Sequence, residues 1–341
     1  MTKDTKSVCN PAGGGVLAVV AAATISAAAL GLPKDAVAQS AKNFAPGQLQ
    51  QSSFDPTYNV CRGTNPICYN DWGVQENREN RVLIYSRTAG PRHAKLGTRL
   101  DPGLNPPLND NNTAQRRMVE LLAAEGIQAD WTEDVTRMFS INNYKAIIFL
   151  STTRDTLWDH AGGAAGGTRL DRARETLKKY IETGGGFVGI HNAFGTEYGW
   201  PYYEGLLGNA NYFNHGANQD GTFVVVADDP TTSGIGLPVG SRVDFKDEWY
   251  NLIPFPKNVK FLVTVDTSTL LRGPGSSHPG HGNFHPVSWC QYYDGGKVWV
   301  TTLGHDRGAF EADSGFPGAA QFQRHIVAGI KSVMGLTPFC T

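Results

Sequence analysis

An excess of charge of either sign is missing from this sequence: 30 Lys and Arg face 31 Asp and Glu over 341 residues, a formal charge of −1. A chain without a basic excess lacks the electrostatic footprint of nucleic-acid binding, so no such partner is expected. Several catalytic signatures are missing too. No G-x-S-x-G occurs, which removes the serine-hydrolase elbow. There is no G-x-x-x-x-G-K-[S/T] and no H-E-x-x-H, and Gly184-Gly185-Gly186 precedes an apolar run where a dinucleotide loop would follow one. Cysteine is scarce, with five in all, and the first of them lies near the N-terminus.

What is present begins with an address. Lys3 and Lys6 precede the Ala/Val/Leu/Gly-rich run Gly13 to Leu32, and Ala36-Val37-Ala38 before Gln39 forms an A-x-A box. These features predict a signal peptide over residues 1–38 and a periplasmic or secreted protein, with no membrane partner after cleavage. The alternative is an uncleaved anchor, since about 20 apolar residues span a bilayer. Loss of Cys9 leaves Cys61, Cys68, Cys290 and Cys340, enough for two disulfides in an exported chain. Cys61 and Cys68 enclose a short loop that suits a bridge. Cys290, in an apolar run, is read either as bridged or as a free buried thiol, and its relation to Cys340 stays open. Residues 39–78, rich in Ser, Gln, Asn and Pro, read as an N-terminal extension, and 79–341 as a single domain.

Along that domain, apolar runs at Val82–Ser86, Ala146–Leu150 and Phe187–Ile190 read as buried strands. Helical spacing occupies Thr113–Gly126, Leu170–Thr183 and about Pro317–Met334. Further strands are expected at Thr222–Val226, Lys260–Val265, Pro286–Tyr293 and Lys297–Leu303, the last two joined by the turn Asp294-Gly295-Gly296. Strand–helix alternation at this spacing means βαβ units and an α/β class with a parallel sheet. Ligands of such sheets bind beyond the carboxyl ends of the strands, where His93, Thr152, Thr153 and His191 fall. His191 follows its strand with Gly189 two residues before and Ala193 two after. That is a tight strand-to-helix elbow carrying an imidazole in place of a hydroxyl or thiol.

Several blocks in order resemble ThuA-like (trehalose utilisation) proteins: Arg81 to His93, the glycine-rich stretch through His191, Thr196-Glu197-Tyr198 with Trp200-Pro201 and Tyr203, Asp247-Glu248-Trp249-Tyr250, His285-Pro286-Val287 with Trp289-Cys290, and Leu303-Gly304-His305. The resemblance implies a flavodoxin-like three-layer sandwich of the class I glutamine amidotransferase type, mostly parallel with a C-terminal antiparallel hairpin. It implies no cysteine amidotransferase activity, because His191 holds the elbow. It also implies work on disaccharides or 3-keto-glycosides supplied by a partner sugar oxidoreductase. The chain departs from the family's pattern at Thr267 and in the segments 278–284 and 306–318.

The residues chosen for chemistry are His191, Glu248 and His93 as acid–base groups. Thr153, Trp200, Tyr203, His215, His285 and His305 are chosen for substrate binding, the aromatics as a stacking platform. A polar turn is the bland reading of His215, and an ion pair with Arg87 or Arg92 that of Glu248. His278-x-x-His281-x-x-x-His285 invites a zinc reading, but a Gly/Pro-rich loop offers no face to converge donors, so no metal or cofactor is assigned. The expected function is a hydrolase, lyase or isomerase of sugars. The alternatives are a non-catalytic carbohydrate-binding protein and a metal-dependent hydrolase.

Overall fold

The computed structural model describes residues 53–341 apart from 159–171, 274, 276 and 312. The stretch read as a signal peptide, the start of the expected extension and the glycine cluster at 162–167 therefore lie outside the described residues. Two short strands open the chain, β1 (Phe54–Asp55) and β2 (Val60–Gly63). They are followed by β3 (Arg81–Tyr85), α1 (Thr113–Ala124), β4 (Gln128–Thr132), β5 (Ala146–Leu150), α2 (Arg172–Glu182) and β6 (Gly186–Ile190). Next come α3 (Pro201–Leu206), β7 (Tyr212–Asn214), β8 (Gln219–Val225), β9 (Arg242–Asp247), β10 (Asn251–Leu252) and β11 (Lys260–Asp266). The hairpin β12 (His285–Tyr293) and β13 (Gly296–Thr301) and the helix α4 (Ala319–Val333) complete the order.

The main sheet runs β4-β3-β5-β6-β13-β12-β11-β8-β9. Pairing is parallel from β4 to β13 and antiparallel from β13 to β9. The hairpin is thus the seam between two halves, and the antiparallel half extends beyond it. Each reversal flips direction, so after four of them β9 again points the same way as the parallel strands, and its carboxyl end reaches the same edge.

Alternation along the central strands builds three layers. Val82, Ile84, Ile148, Val188 and Ile190 pack with Met118 and Leu122 of α1 and with Phe322, Ile326 and Ile330 of α4. Leu83, Tyr85, Ile147, Phe149 and Phe187 pack on the other face with Leu177, Tyr180 and Ile181 of α2 and Leu206 of α3. Both faces are covered, which is why these strands appear in sequence as unbroken apolar runs. The glycine Gly329 lets α4 close on the sheet: a Cβ there would stand 2.4 Å from the Trp299 ring.

The short strands β1, β2, β7 and β10 escaped the sequence reading, and so did two strands of the main run, β4 and β9, which are its two ends. Exposed edge strands alternate polar and apolar residues and carry charge, so they show no apolar run. Cys61 bridges Cys68, and Cys290 bridges Cys340 across a separation of 50 residues, which resolves the free-thiol alternative. Two disulfides suit an oxidising compartment. Among the described residues no helix is long and apolar enough to cross a membrane.

Candidate functional site

Four side chains meet at the carboxyl edge of the sheet. His93 follows β3, His191 follows β6, His305 follows β13, and Glu248 follows β9. The backbone is unusual here: Ser151, Arg154, His191, Glu197 and Trp249 have φ between 42° and 56°. Left-handed conformations of branched or bulky residues are costly, and such residues cluster at sites that the surrounding structure holds in place. At His191 the elbow is kept open by small neighbours. A Cβ on Gly189 would approach Val300 Cγ1 to 3.2 Å and Ala193 Cβ to 3.4 Å. The Glu197 carboxylate accepts from Leu157 N at 2.7 Å and pairs with Arg174, pinning the loop beyond the elbow.

His191 is fully buried, and its tautomer follows from its contacts. Nδ1 lies 2.8 Å from the Thr302 carbonyl, which can only accept, so Nδ1 carries the proton and Nε2 presents a lone pair. That lone pair accepts from the Tyr250 hydroxyl at 2.8 Å and faces His93 Nε2 at 3.1 Å. Glu248 Oε2 stands 3.1 Å from His305 Nδ1, 3.6 Å from His191 Nε2 and 4.0 Å from His93 Nε2, while Oε1 is 3.3 Å from His215 Nε2. Among the described residues, His93, His191, Glu248 and His305 form a group whose nitrogen and oxygen atoms lie within 4.8 Å of one another.

Burial sets the protonation states. It pushes His93 down to about 4, with the Lys95 charge adding to the effect and Glu248 opposing it. His191 is pushed well below the usual imidazole range by burial, then by Lys95, His93 and His305. For Glu248, burial opposes ionisation, but the imidazoles of His305, His93 and His215 around it outweigh burial and hold the carboxyl well below its usual value. Near neutral pH the site thus presents a carboxylate beside neutral His93 and His191. Behind it Lys95 is fully buried, its ammonium donating to the His305 carbonyl. Burial lowers Lys95 to about 7 against the pull of Asp247, Glu248 and Asp306. Asp247 accepts from Gly304 N and Glu248 N and thereby ties the end of β9 to the loop after β13.

Two of the four groups, His93 and Glu248, line a cleft of about 290 Å³ with Thr153, Arg154, Tyr198, Tyr212, His215 and Tyr250. His191 and His305 lie against these two without lining it. Of the residues chosen from sequence, His191, Glu248, His93 and His305 come together, with His215 and Thr153 on the wall. Three substrate-binding assignments need correction. Tyr203 is wholly buried, donates to the Ala193 carbonyl and packs on Phe149 and Phe187 as core. Trp200 lies outside the cleft lining and stacks on Tyr202. His285 is buried beneath the site, its Nε2 donating to the Tyr250 carbonyl. The ion-pair alternative for Glu248 is not realised either: Arg92 pairs with Glu133, and Arg87 donates to the Thr156 and Trp158 carbonyls. Sequence reasoning missed Tyr250, Arg154, Tyr198 and Tyr212. Tyr250 lay inside a quoted block, but nothing in the sequence marks its hydroxyl as aimed at His191.

A family model described as "ThuA: Trehalose utilisation" matches residues 81–332. Among curated protein sequences none matches the chain. Among solved structures, a ThuA-like protein from Bacteroides uniformis ATCC 8492 is 19% identical, with a TM-score of 0.54, covering 75% of this chain and 92% of its own. A ThuA-like protein from Parabacteroides merdae ATCC 43184 is 16% identical, with a TM-score of 0.49, covering 74% and 89%. At these identities the likeness concerns the fold, which is the glutamine amidotransferase-like α/β architecture.

Proposed function

The chain belongs to the ThuA (trehalose utilisation) family, and from that premise we propose that it is an exported enzyme that cleaves or isomerises 3-keto-glycosides by His/Glu acid–base chemistry. The observation that carries this reading is one carboxylate and one neutral imidazole, Glu248 and His93, lining a cleft with His191 and His305 against them. Proton abstraction next to a ketone needs an ionised base and a neighbouring hydrogen-bond donor at the oxygen where charge develops.

A ketone at C3 makes the C2 hydrogen acidic, because the resulting carbanion delocalises onto the ketone oxygen. In this reading Glu248 takes the C2 proton and an imidazole N–H of His93 or His305 faces the enolate oxygen. The bond from C1 to the leaving oxygen then breaks, and the departing alkoxide takes a proton. His191, whose Nε2 lone pair lies 3.6 Å from Glu248 Oε2 beside the Tyr250 hydroxyl, relays that proton from the protonated carboxyl. Arg154, Tyr198, Tyr212, His215 and Thr153 offer the wall that a sugar's hydroxyls require. The cleft is at the small end of ligand sites, which suits one pyranose ring with the second unit projecting outward. A partner oxidoreductase would supply the ketone.

The test is incubation with 3-keto-trehalose in D₂O, with NMR following deuterium at C2 and chromatography following release of glucose. Exchange and cleavage are expected for the keto-sugar and absent for intact trehalose. Hydrolysis of intact trehalose with no action on any keto-sugar would overturn the reading. Tight binding of the keto-sugar with no exchange would instead leave a carbohydrate-binding protein.

A further inference from the structure

We propose that His93, His191, His305 and Glu248 together hold one first-row divalent transition ion of the zinc class at the edge of the cleft that His93 and Glu248 line. This deepens the reading of the same site as sugar-processing and rests on it for the ion's use, though not for its binding.

The donor set comes first. Three imidazoles and one carboxylate are the ligands that zinc and its neighbours take, whereas calcium and magnesium prefer all-oxygen shells. Orientation comes second. His191 Nδ1–H is committed to the Thr302 carbonyl, the outer-shell contact that fixes a ligating imidazole and aims its other nitrogen inward. His93 Nε2 faces that nitrogen at 3.1 Å, close to the roughly 3.3 Å that separates two ligands on a tetrahedral ion with bonds of about 2.0–2.1 Å. The buried Nδ1 of His305 points toward Glu248 Oε2 at 3.1 Å but off the line a hydrogen bond needs, and it has no other partner. Closure around an ion needs only a small shift, because the four donor atoms already lie within 4.8 Å of one another. Tyr250 and His215 flank the side open to the cleft, so a ligand oxygen could reach the ion from there.

In a sugar-processing site such an ion would polarise the ketone oxygen as a Lewis acid in place of the His93 or His305 N–H. Glu248, facing the other donors through Oε2, would keep Oε1 for the C2 proton. His215 and Tyr250, which are not among the four donors, would remain for hydrogen bonding to the substrate.

The experiment uses the mature chain dialysed against EDTA and titrated with ZnCl₂ or CoCl₂. It reads metal content by mass spectrometry, cobalt visible absorption and melting temperature. One equivalent per chain is expected, with a cobalt band of a four- or five-coordinate site and a rise in melting temperature on loading. His305→Ala and Glu248→Gln should weaken binding by more than the roughly 10–100-fold that loss of an outer-shell partner costs. His191→Ala is a third variant, and the other two carry the test if it fails to fold. His281→Ala, in the loop cluster, should bind as the parent does. Less than a tenth of an equivalent in the parent chain would overturn the proposal. So would unchanged binding by His305→Ala and Glu248→Gln, or loss of the ion in His281→Ala. The two readings fail separately. Keto-sugar turnover by metal-free protein in EDTA would remove the ion's catalytic use and keep the function, while a stoichiometric ion with no keto-sugar turnover would keep the ion and remove the function.

Discussion

Among the described residues, two groups of three histidines have neighbouring rings at similar spacings. In the first, the rings of His93, His191 and His305 are 4.7, 5.3 and 5.4 Å apart, centre to centre. In the second, His278 and His281 are 4.8 Å apart, and His281 and His285 are 4.9 Å apart. Their nitrogens are used in opposite ways. The second group spends them on its own backbone: His278 Nδ1 accepts from Gly280 N, His281 Nε2 accepts from Leu252 N, and His285 Nε2 donates to the Tyr250 carbonyl. The first group turns nitrogens toward one another and toward the Glu248 carboxylate, at a cleft that His93 and Glu248 line. Ring proximity therefore says little about chemistry. What separates the groups is whether backbone or carboxylate meets the nitrogens.

The comparison breaks if removing a ring from the second group costs as much activity as removing one from the first. The largest effect is expected at His191→Ala and Glu248→Gln, each lowering kcat/KM toward 3-keto-trehalose by about 10²-fold or more, measured by product release. Glu248→Gln keeps the volume of the side chain, so its melting curve should stay near that of the parent protein. His285→Ala belongs to the other class. It leaves the Tyr250 carbonyl without its donor in a buried place, and urea unfolding should show a loss of about 1–3 kcal/mol with kcat changed less than tenfold.

A pH series sharpens the same contrast. Burial depresses His285 to about 4, with His278 adding to the effect and the Tyr250 carbonyl opposing it. The unfolded chain binds the proton near 6.5 and the folded chain only near 4, so this contribution is complete above about pH 6.5 and drains away as pH falls toward 4. Its full size is on the order of 3 kcal/mol. Urea midpoints of the parent and His285→Asn should therefore differ in acid slope between pH 7.5 and 4.5. Equal slopes would remove His285 from the account. The smallest effect is expected at His281→Ala, about 1 kcal/mol or less in urea, since its ring is partly open to water and only one amide donates to it.

The parallel half of the sheet was legible because each of its inner strands is covered on both faces, which forces unbroken apolar runs such as Val82–Tyr85 and Ala146–Leu150. The edges β4 and β9 were not legible, since exposed strands alternate and carry charge. The β9 case mattered most, because Glu248 follows directly from its end. At the site, Gly189 and Ala193 marked the elbow of His191 and block resemblance marked Glu248 and His305. Trp200, Tyr203 and His285 looked equally functional, yet they are packing groups: their aromatic and imidazole surfaces face neighbours that no local pattern reveals.

Local sequence, then, determined the elements: apolar periodicity, glycine turns and the elbow are decided by residues a few positions apart, because backbone sterics and burial act over that range. Only the tertiary structure decided that His93, His191, His305 and Glu248 share one spot, while the nearby triplet His278, His281 and His285 does not. Four strand ends drawn from 212 residues of separation meet because strand directions restore themselves along the sheet, and it is that long-range ordering which aims each nitrogen and oxygen.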